Sequence, residues 1–171
     1  MGEKKTFVYC GSWDYEDNYG SGKLARAETQ EEGIPLNIFM EPDSDRDLEE
    51  GNPCEIEVYG YSHDTKAFPD EAAYYAAGGN FAPRSLIPCG MFPSDPDDER
   101  TFTQSPVIMF SGEVHYVEKD PFQREDGPDY LLAVETYDLN MKLYAACDEE
   151  IEEGYIVSGT AWLCGTFKKK S

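Results

Sequence analysis

Histidine is the scarcest of the residues that could carry catalysis, because the chain contains only His63 and His115. A nucleophilic triad would need one of them beside a serine or cysteine and an orienting carboxylate. His63 stands next to Asp64 in the turn-like stretch YSHDTK, and His115 lies in the strand-like stretch GEVHYVEK. Neither accompanies a nucleophile or metalloprotease motif such as GxSxG or HExxH. We therefore expect structural or surface roles for both histidines and assign no catalytic residue.

Carboxylates are plentiful, because 35 of the 171 residues are Asp or Glu. At that density two neighbouring carboxylates are expected by chance, so a glycosidase-like pair carries little information. The run DSDRD, with Asp43, Asp45 and Asp47, imitates the start of a calcium-binding loop. However, the position where an EF-hand needs glycine is Leu48, and its twelfth position is Cys54. The sequence therefore predicts no metal ion and no other cofactor.

The cysteines and the apolar runs indicate the compartment. The five cysteines form an odd set with long gaps and no CxxC pair. This pattern fits neither a zinc site nor a small disulfide framework, and reduced, mostly buried thiols are expected. No apolar run reaches the roughly 18 residues of a spanning helix, and the N-terminus has no signal-like apolar stretch. The sequence therefore predicts a cytoplasmic protein that does not bind membranes.

The charge balance restricts the possible partners. The chain has 35 acidic and 14 basic residues, a net charge of −21, and five of the basic residues lie near its ends. Residues 6–167 therefore hold 34 acidic and 9 basic residues, a net charge of −25. Such a field repels nucleic-acid phosphates and anionic membranes and favours cations and basic proteins. The alternative explanation is that the charge only keeps the protein soluble.

Aromatic residues are the second candidate feature for binding. The chain has 12 Tyr, 9 Phe and 2 Trp, which is ample both for a core and for a surface. Rigid aromatic side chains anchor protein interfaces and stack on sugars, although they also fill small β cores. We combine four of them with the acids of DSDRD. The predicted ligand- or partner-binding residues are Trp13, Tyr15, Tyr59, Tyr61, Asp43, Asp45 and Asp47.

The elements that position these residues form two similar segments. FVYCG at 7–11 resembles IMFSG at 108–112, and LARAET at 24–29 resembles LLAVET at 131–136. PLNIFM and then DRDLEEG follow in the first half, and MKLYAA and then DEEIEEG follow in the second. Each half continues into a long strand-like run. Matched blocks in one order predict a tandem duplication of a β unit.

Alternating apolar residues predict strands within each segment. In the second segment Gly112 is a predicted bulge, and the break at Leu139-Asn140 predicts a tight hairpin. The final run from Tyr155 is apolar on both faces, which is typical of a strand buried on both sides. Between the segments, PDEAAYYAAGGN predicts one short helix near 70–78, with acids in its first turn and a Gly-Gly stop.

This strand pattern resembles the oligonucleotide/oligosaccharide-binding (OB) barrel. We predict a mainly β fold with two tandem small OB-like barrels at 6–68 and 105–167. Residues 69–104 form the helix and a connection rich in proline and acid. Only four basic residues occur between Thr6 and Pro69, so the basic groove of a nucleic-acid-binding OB barrel is missing. Nucleic acid is therefore a disfavoured partner.

Three functions remain. The preferred one is a non-enzymatic acidic binding protein that engages a basic protein in an inhibitor or immunity-type role, with charge complementarity speeding association. The second is an OB-like module that binds an oligosaccharide or another neutral ligand through the same aromatic residues. The third is a metal-assisted hydrolase that uses scattered acids. Salt sensitivity of binding separates the first from the second, and the third predicts a stoichiometric metal ion.

Overall fold

The structure is a computed structural model that describes residues 5–17, 20–79, 81–89, 93–95, 98–102 and 105–170. These residues form mainly strands and one short helix, which confirms the predicted β character. In chain order the elements are β1 (Lys5–Asp17), β2 (Gly20–Thr29), β3 (Pro35–Met40), β4 (Pro53–Ser62), β5 (Lys66–Phe68), α1 (Glu71–Ala76), β6 (Ser85–Pro88), β7 (Pro93–Asp95), β8 (Asp98–Phe102), β9 (Val107–Lys119), β10 (Tyr130–Glu135), β11 (Asn140–Ala145) and β12 (Ile156–Lys169).

Ten of these strands belong to one mixed sheet, in the order β5-β12-β3-β2-β1-β4-β11-β10-β9-β6, and β7 pairs separately with β8. β12 pairs additionally with β4 and with β9. The chain divides into two compact units. Unit A comprises the described residues of 3–58, 88–107 and 163–171, and unit B comprises 59–87 and 108–162 where they are described. The long strands β4 and β12 each contribute one part to each unit.

Unit A is built on an antiparallel meander of β1, β2 and β3. The start of β1 also pairs with β4, with Phe7 opposite Cys54, and β3 pairs in parallel with β12. Gly165 of β12 allows a close approach to β4, because a Cβ there would lie 2.9 Å from the carbonyl oxygen of Glu57. The largest fully buried side chains of this unit are Phe7, Leu24, Leu36, Ile38, Ile56, Leu163 and Phe167.

Unit B has a similar strand arrangement. β10 pairs antiparallel with β9 and with β11, and β11 pairs in parallel with the end of β4. β5 pairs antiparallel with the start of β12. Residues of β10 and β11 alternate between buried and half-buried, so one face of these strands supplies the core and the other lies outside. The largest fully buried side chains of this unit are Ile108, Leu132, Leu139, Leu143 and Ile151.

Both meanders contain a β-bulge at a corresponding place. In unit A the pairing of Tyr9 with Ala27 is the last regular pair before the register shifts. In unit B the register shifts next to the pairing of Val114 with Val134, and His115 is the extra residue. Ala27 and Val134 hold the same position within the similar blocks LARAET and LLAVET. The strand pairing therefore equates Tyr9 with Val114.

The first block of the proposed repeat does not keep this register. Alignment of FVYCG with IMFSG equates Tyr9 with Phe110, whereas strand pairing equates Tyr9 with Val114. Short apolar strands resemble one another at several offsets of two residues, which explains the displaced alignment. The domain boundaries at 6–68 and 105–167 stay a prediction. The two compact units are each assembled from separate parts of the chain.

Two local features of unit B differ from expectation. Gly112 is not the bulge; it allows β9 to approach β10, because a Cβ there would lie 2.6 Å from the carbonyl oxygen of Glu135. The hairpin between β10 and β11 turns at Asp138, which has a left-handed φ of 60°, rather than at Leu139-Asn140. Thr136 closes this turn by donating to the carbonyl of Leu139. The side chain of Leu139 is buried in the core, which moves the turn toward the N-terminus.

The helix α1 at 71–76 is shorter than the predicted 70–78. Asp70 is its N-cap, and its side chain accepts a hydrogen bond of 2.8 Å from the backbone N–H three residues later. Gly78, with φ of 95°, follows its end. The ring of Tyr74 is buried edge-on against Phe68 at 5.4 Å, which anchors the helix to β5. No helix in the described part of the chain has the length and hydropathy to cross a membrane.

Candidate binding site

Three aromatic rings stack on the outer face of unit B. The centroid of the Tyr144 ring lies 5.3 Å from that of Tyr61, with an interplanar angle of 14°. The centroid of the Phe122 ring lies 5.4 Å from that of the same Tyr144 ring, with an interplanar angle of 18°. Tyr61 is 42% exposed and Phe122 is 49% exposed. Large exposed rings held in a stack form a rigid, partly apolar contact surface.

A second row of side chains lies beside this stack on the same two strands. Tyr59 is two residues before Tyr61 in β4, and Lys142 is two residues before Tyr144 in β11. Side chains two residues apart in a strand point to the same face, so both rows lie outside. The Lys142 Nζ lies 5.5 Å from the centroid of the Tyr59 ring. We call Tyr59, Tyr61, Phe122, Lys142 and Tyr144 the aromatic face.

Packing beneath β4 turns the tyrosines outward. Gly60 lies between Tyr59 and Tyr61 and is buried. A Cβ at Gly60 would lie 3.0 Å from Leu143 Cδ1 and 3.4 Å from the Cβ of Ala161. A side chain on the inner side of β4 at this position would therefore crowd Leu143 and Ala161. A slip of one residue would place a tyrosine ring there, so the register that exposes both rings is strongly favoured.

The loop between β9 and β10 carries Phe122 to the stack. Its ends are joined by a hydrogen bond of 2.9 Å from the backbone N–H of Asp120 to the carbonyl of Asp129. A second bond of 3.0 Å, from the N–H of Gln123 to the carbonyl of Asp120, closes a turn around Phe122. The Arg124 guanidinium lies 5.8 Å from the Phe122 ring centroid. Two rings of the aromatic face thus already carry a cation from their own unit.

The charge around the aromatic face is negative. Residues 59–87 and 108–162 hold 16 acidic and 5 basic residues, a net charge of −11. Three of these bases pair with carboxylates, and a fourth, Lys142, lies over Tyr59. Glu118 lies in the row of Tyr144, because Leu131 is opposite both residues. One acid thus lies in line with Tyr144, two strands away, within a unit that is acidic as a whole.

A cluster of two carboxylates and one imidazole lies where β9 pairs with the end of β10. Glu113 is opposite Glu135, and His115, the extra residue of the bulge, lies on the same surface. The His115 Nε2 lies 3.0 Å from Glu135 Oε1 and 3.9 Å from Glu113 Oε2. The three donor atoms all lie within 4.8 Å of one another. We call these residues the Glu-His-Glu cluster, which has side chains of the types that bind zinc.

Arg84 neutralises part of the negative charge of the Glu-His-Glu cluster. Its Nη2 donates to Glu113 and lies 3.4 Å from Glu135 Oε1. The hydrogen bond to Glu113 raises the pKa of Arg84 above its already high ordinary value, so the guanidinium is charged. Ser85, next in the chain, shares a hydrogen bond of 2.6 Å with Ser111 of β9. Ser111 also donates to the carbonyl two residues before Arg84, so the backbone around Arg84 is fixed on β9.

The predicted aromatic site residues fall into two groups. Tyr59 and Tyr61 belong to the aromatic face of unit B. Trp13 and Tyr15 belong to β1 in unit A and are half-buried. The Arg26 guanidinium lies 5.8 Å from the Trp13 ring, and Tyr15 packs edge-on against another ring of unit A at 6.5 Å. Tyr59 and Tyr61 therefore contact residues of unit B, whereas Trp13 and Tyr15 contact residues of unit A.

The predicted acidic site residues are engaged within unit A. Asp43, Asp45 and Asp47 lie in the loop after β3, and the end of β12 lies beside them. The Lys168 Nζ donates to the backbone carbonyl of Asp43 at 2.7 Å, and the backbone N–H of Lys169 donates to the Asp45 carboxylate at 2.7 Å. The Lys169 Nζ lies 3.4 Å from the Asp47 carboxylate. This loop therefore presents less uncompensated charge than its sequence suggests.

Burial makes two cysteines poor nucleophiles. Cys54 and Cys147 are buried, in agreement with the expectation of mostly buried thiols. Burial raises the pKa of Cys54 to about 12 and also raises the pKa of Cys147. Because the thiolate is the reactive form, both thiols are inert at neutral pH.

Sequence reasoning did not select Phe122, Tyr144 or the Glu-His-Glu cluster. One signal was present: Glu113 and His115 are two residues apart in a predicted strand and so share a face. Glu135 could not be assigned to them, because its place depends on how β9 pairs with β10 and on the bulge. Tyr144 and Phe122 likewise join the stack only through long-range pairing and a loop.

Comparison with known proteins defines no family, because no family model, no curated protein and no solved structure matches the chain. The structure itself defines a mainly β protein with an acidic unit B that presents stacked rings on its outer face. Two rings of the aromatic face, Tyr59 and Phe122, lie next to cations of the same unit. The function has to be inferred from this surface and from the Glu-His-Glu cluster.

Proposed function

We propose that the protein is a non-enzymatic binding protein and that the aromatic face of unit B captures a basic protein partner. The supporting observation is that two rings of this face already hold cations, Lys142 over Tyr59 and Arg124 over Phe122. Exposed contacts of this kind contribute about 0.5–1 kcal/mol each. The arginines and lysines of a partner would find the same chemistry on Tyr61, within a unit of net charge −11.

The acidic charge and the aromatic rings contribute to different stages of the proposed binding. The acidic field speeds encounter with a basic surface, and the rings supply contacts that persist after docking. Nucleic-acid-binding proteins expose arginine and lysine for phosphates, so they offer the surface that such a binder would block. An inhibitor or immunity-type role follows. Trp13, Tyr15 and the acids Asp43, Asp45 and Asp47 of unit A stay predicted contacts of the same partner.

Calorimetric titration with an oligo-arginine peptide tests the role of the rings. We expect binding that weakens as salt is raised, and a further loss of about two- to fivefold in the Tyr61→Ala variant, which corresponds to one exposed cation–π contact. Tyr75→Ala is the matched control, because Tyr75 is 51% exposed and lies on α1 in the same unit. Equal affinities for the two variants would show that the peptide senses only net charge and would refute the proposed face.

We also propose that both units are OB-like barrels. Each has a three-stranded antiparallel meander whose third strand pairs in parallel with a long strand, β3 with β12 and β11 with β4. The corresponding bulges in the first strands of the two meanders support a common origin of the units. OB barrels bind ligands on their second and third strands and on the loop after the first. Tyr144 lies in the third strand of the unit B meander, and Phe122 lies in the loop after its first strand.

This placement favours a second candidate function, the binding of an oligosaccharide or another neutral ligand on the ring stack. Near-parallel exposed rings are suited to stacking against flat apolar faces of sugars. Titration with cello- and chito-oligosaccharides at two salt concentrations separates the candidates. A neutral ligand should bind equally well at both concentrations and lose affinity in Tyr61→Ala but not in Tyr75→Ala. Saturable binding of this kind, with salt-sensitive peptide binding absent, would replace the first candidate by the second.

A further inference from the structure

The Glu-His-Glu cluster combines features that the proposed binding function does not use. It contains one of only two histidines in the chain, and the imidazole lies against two carboxylates. The cationic Arg84 Nη2 contacts the same two carboxylate oxygen atoms that face the imidazole. We propose that this cluster is a binding site for a divalent metal ion of the zinc type, and that Arg84 competes with the ion for it.

The spacing of the donor atoms fits a tetrahedral ion. Zinc binds imidazole nitrogen and carboxylate oxygen at about 2.0–2.2 Å, so neighbouring donors in a tetrahedron lie about 3.3–3.5 Å apart. The two distances from His115 Nε2, 3.0 Å to Glu135 Oε1 and 3.9 Å to Glu113 Oε2, bracket that value. Small side-chain rotations would equalise them. Three protein donors leave the fourth position of the ion for water.

The donor chemistry selects the class of ion. Calcium and magnesium prefer oxygen ligands, whereas an imidazole beside carboxylates suits zinc and related transition-metal ions. Two carboxylates carry two negative charges, which a divalent ion neutralises and a single guanidinium does not. The side chain of Glu113 is 30% exposed and that of His115 is 54% exposed, so an ion reaches the cluster directly from solvent.

Arg84 competes with the ion because it contacts the same carboxylate oxygen atoms. It donates to Glu113 Oε2 and lies 3.4 Å from Glu135 Oε1, the two atoms that an ion would require. A guanidinium does not lose its proton at neutral pH, so it repels an arriving cation. Half of the Arg84 side chain is exposed, and it can rotate into solvent without leaving a buried charge. Metal binding and the Arg84 ion pairs therefore exclude each other.

Nitrogen-15 NMR of the histidine side chains tests this proposal, because the chain supplies one reporter and one internal control. During titration with Zn²⁺ the Nε2 resonance of His115 should shift and saturate while that of His63 stays in place. Arg84→Gln should tighten binding by about fivefold, the upper range for an exposed ion pair. Glu135→Gln should weaken it. Zinc held by a thiol elsewhere does not affect this readout.

Two results would overturn the proposed metal site, and a third would overturn the competition by Arg84. The first is no saturable shift of His115 up to millimolar Zn²⁺ in either the wild type or Arg84→Gln. The second is an equal response of His63 and His115, which would indicate only ordinary binding to exposed imidazoles. Weaker binding in Arg84→Gln would refute competition by Arg84. Far-ultraviolet circular dichroism of each variant confirms that the fold is retained, and His63→Ala should bind zinc as the wild type does.

Discussion

Replacing Gly112 by alanine should destabilise unit B, because β9 and β10 pass each other too closely for a side chain at this position. An alanine Cβ would lie 2.6 Å from the carbonyl oxygen of Glu135 and 2.6 Å from Val134 Cγ1. Tight contact ends at about 3.4 Å, so one strand must move by roughly 0.8 Å, the difference between these distances. The nearest obstacle is backbone, which cannot rotate away as the end of a side chain would.

The expected cost follows from this overlap. Overpacking of a well-packed site costs about 1–3 kcal/mol, and a weakened hydrogen bond between β9 and β10 adds about 1 kcal/mol. We therefore expect the free energy of unfolding to fall by about 2–4 kcal/mol. For a chain of 171 residues this corresponds to a drop in melting temperature of about 4–16 °C.

Thermal and urea denaturation of Gly112→Ala should be compared with those of Gly127→Ala. Gly127 also lies in unit B, but the nearest atom to its Cβ would be the Arg124 carbonyl oxygen at 3.4 Å, which is almost ordinary contact. A glycine-to-alanine change that fits stabilises by about 0.4–1 kcal/mol through the unfolded chain. Equal stability of the two variants would refute the close approach of the strands and, with it, the register that brings Glu113 opposite Glu135.

Further predictions concern single side chains. Partial burial acts to raise the pKa of Asp64, but hydrogen bonds from Thr160 and Ser62 lower it overall. Asp64→Asn should therefore cost about 1 kcal/mol of unfolding free energy at neutral pH, a value reduced by solvent exposure. The stability that this lowered pKa contributes is complete above the unfolded value of about 3.9 and is lost as the pH falls through the lower folded-state pKa, so urea denaturation should show the difference shrink as the pH falls below about 3.9. Cys54, with a pKa of about 12, should escape iodoacetamide in the folded protein and be labelled in urea, as mass spectrometry would show. Lys169→Ala should change unfolding free energy by less than about 1 kcal/mol in urea denaturation, because its ion pair with Asp47 is exposed.

The local elements of the fold were readable from the sequence. The acids and the Gly-Gly pair around α1 specify where a helix begins and ends, and alternation specifies strands such as β4 and β11. The pairing of these strands was not readable. β11 lies in parallel beside β4 because of contacts some 80 residues apart in the chain, from Tyr59 opposite Lys142 to Ser62 opposite Ala145. Period-2 patterns state which face a residue occupies but not which strand lies next to it.

The same distinction explains the outcome for the site. Tyr59 and Tyr61 could be selected as rigid aromatic residues of a strand-like run, but their type alone did not separate a surface role from filling of the core. Their partner Tyr144 looked like any half-buried strand residue until the parallel pairing placed it opposite Tyr61. His115 appeared to be an ordinary strand residue, because a bulge changes direction locally without any requirement for glycine in the sequence.

Net charge could not show which unit binds a partner, because the units are almost equally acidic. The sequence ranges 3–58, 88–107 and 163–171 hold 19 acidic and 9 basic residues, a net charge of −10, and the ranges of unit B have a net charge of −11. They differ in how cations are used. In unit A, Lys168 and Lys169 lie against the acids after β3, so part of the negative charge is cancelled there. A cation also lies over a ring in each unit: Arg26 over Trp13 in unit A, and Lys142 over Tyr59 and Arg124 over Phe122 in unit B. The ring of Phe122 is exposed, whereas that of Trp13 is half-buried. The proposed face is placed in unit B because exposed rings and an acidic field occur together there.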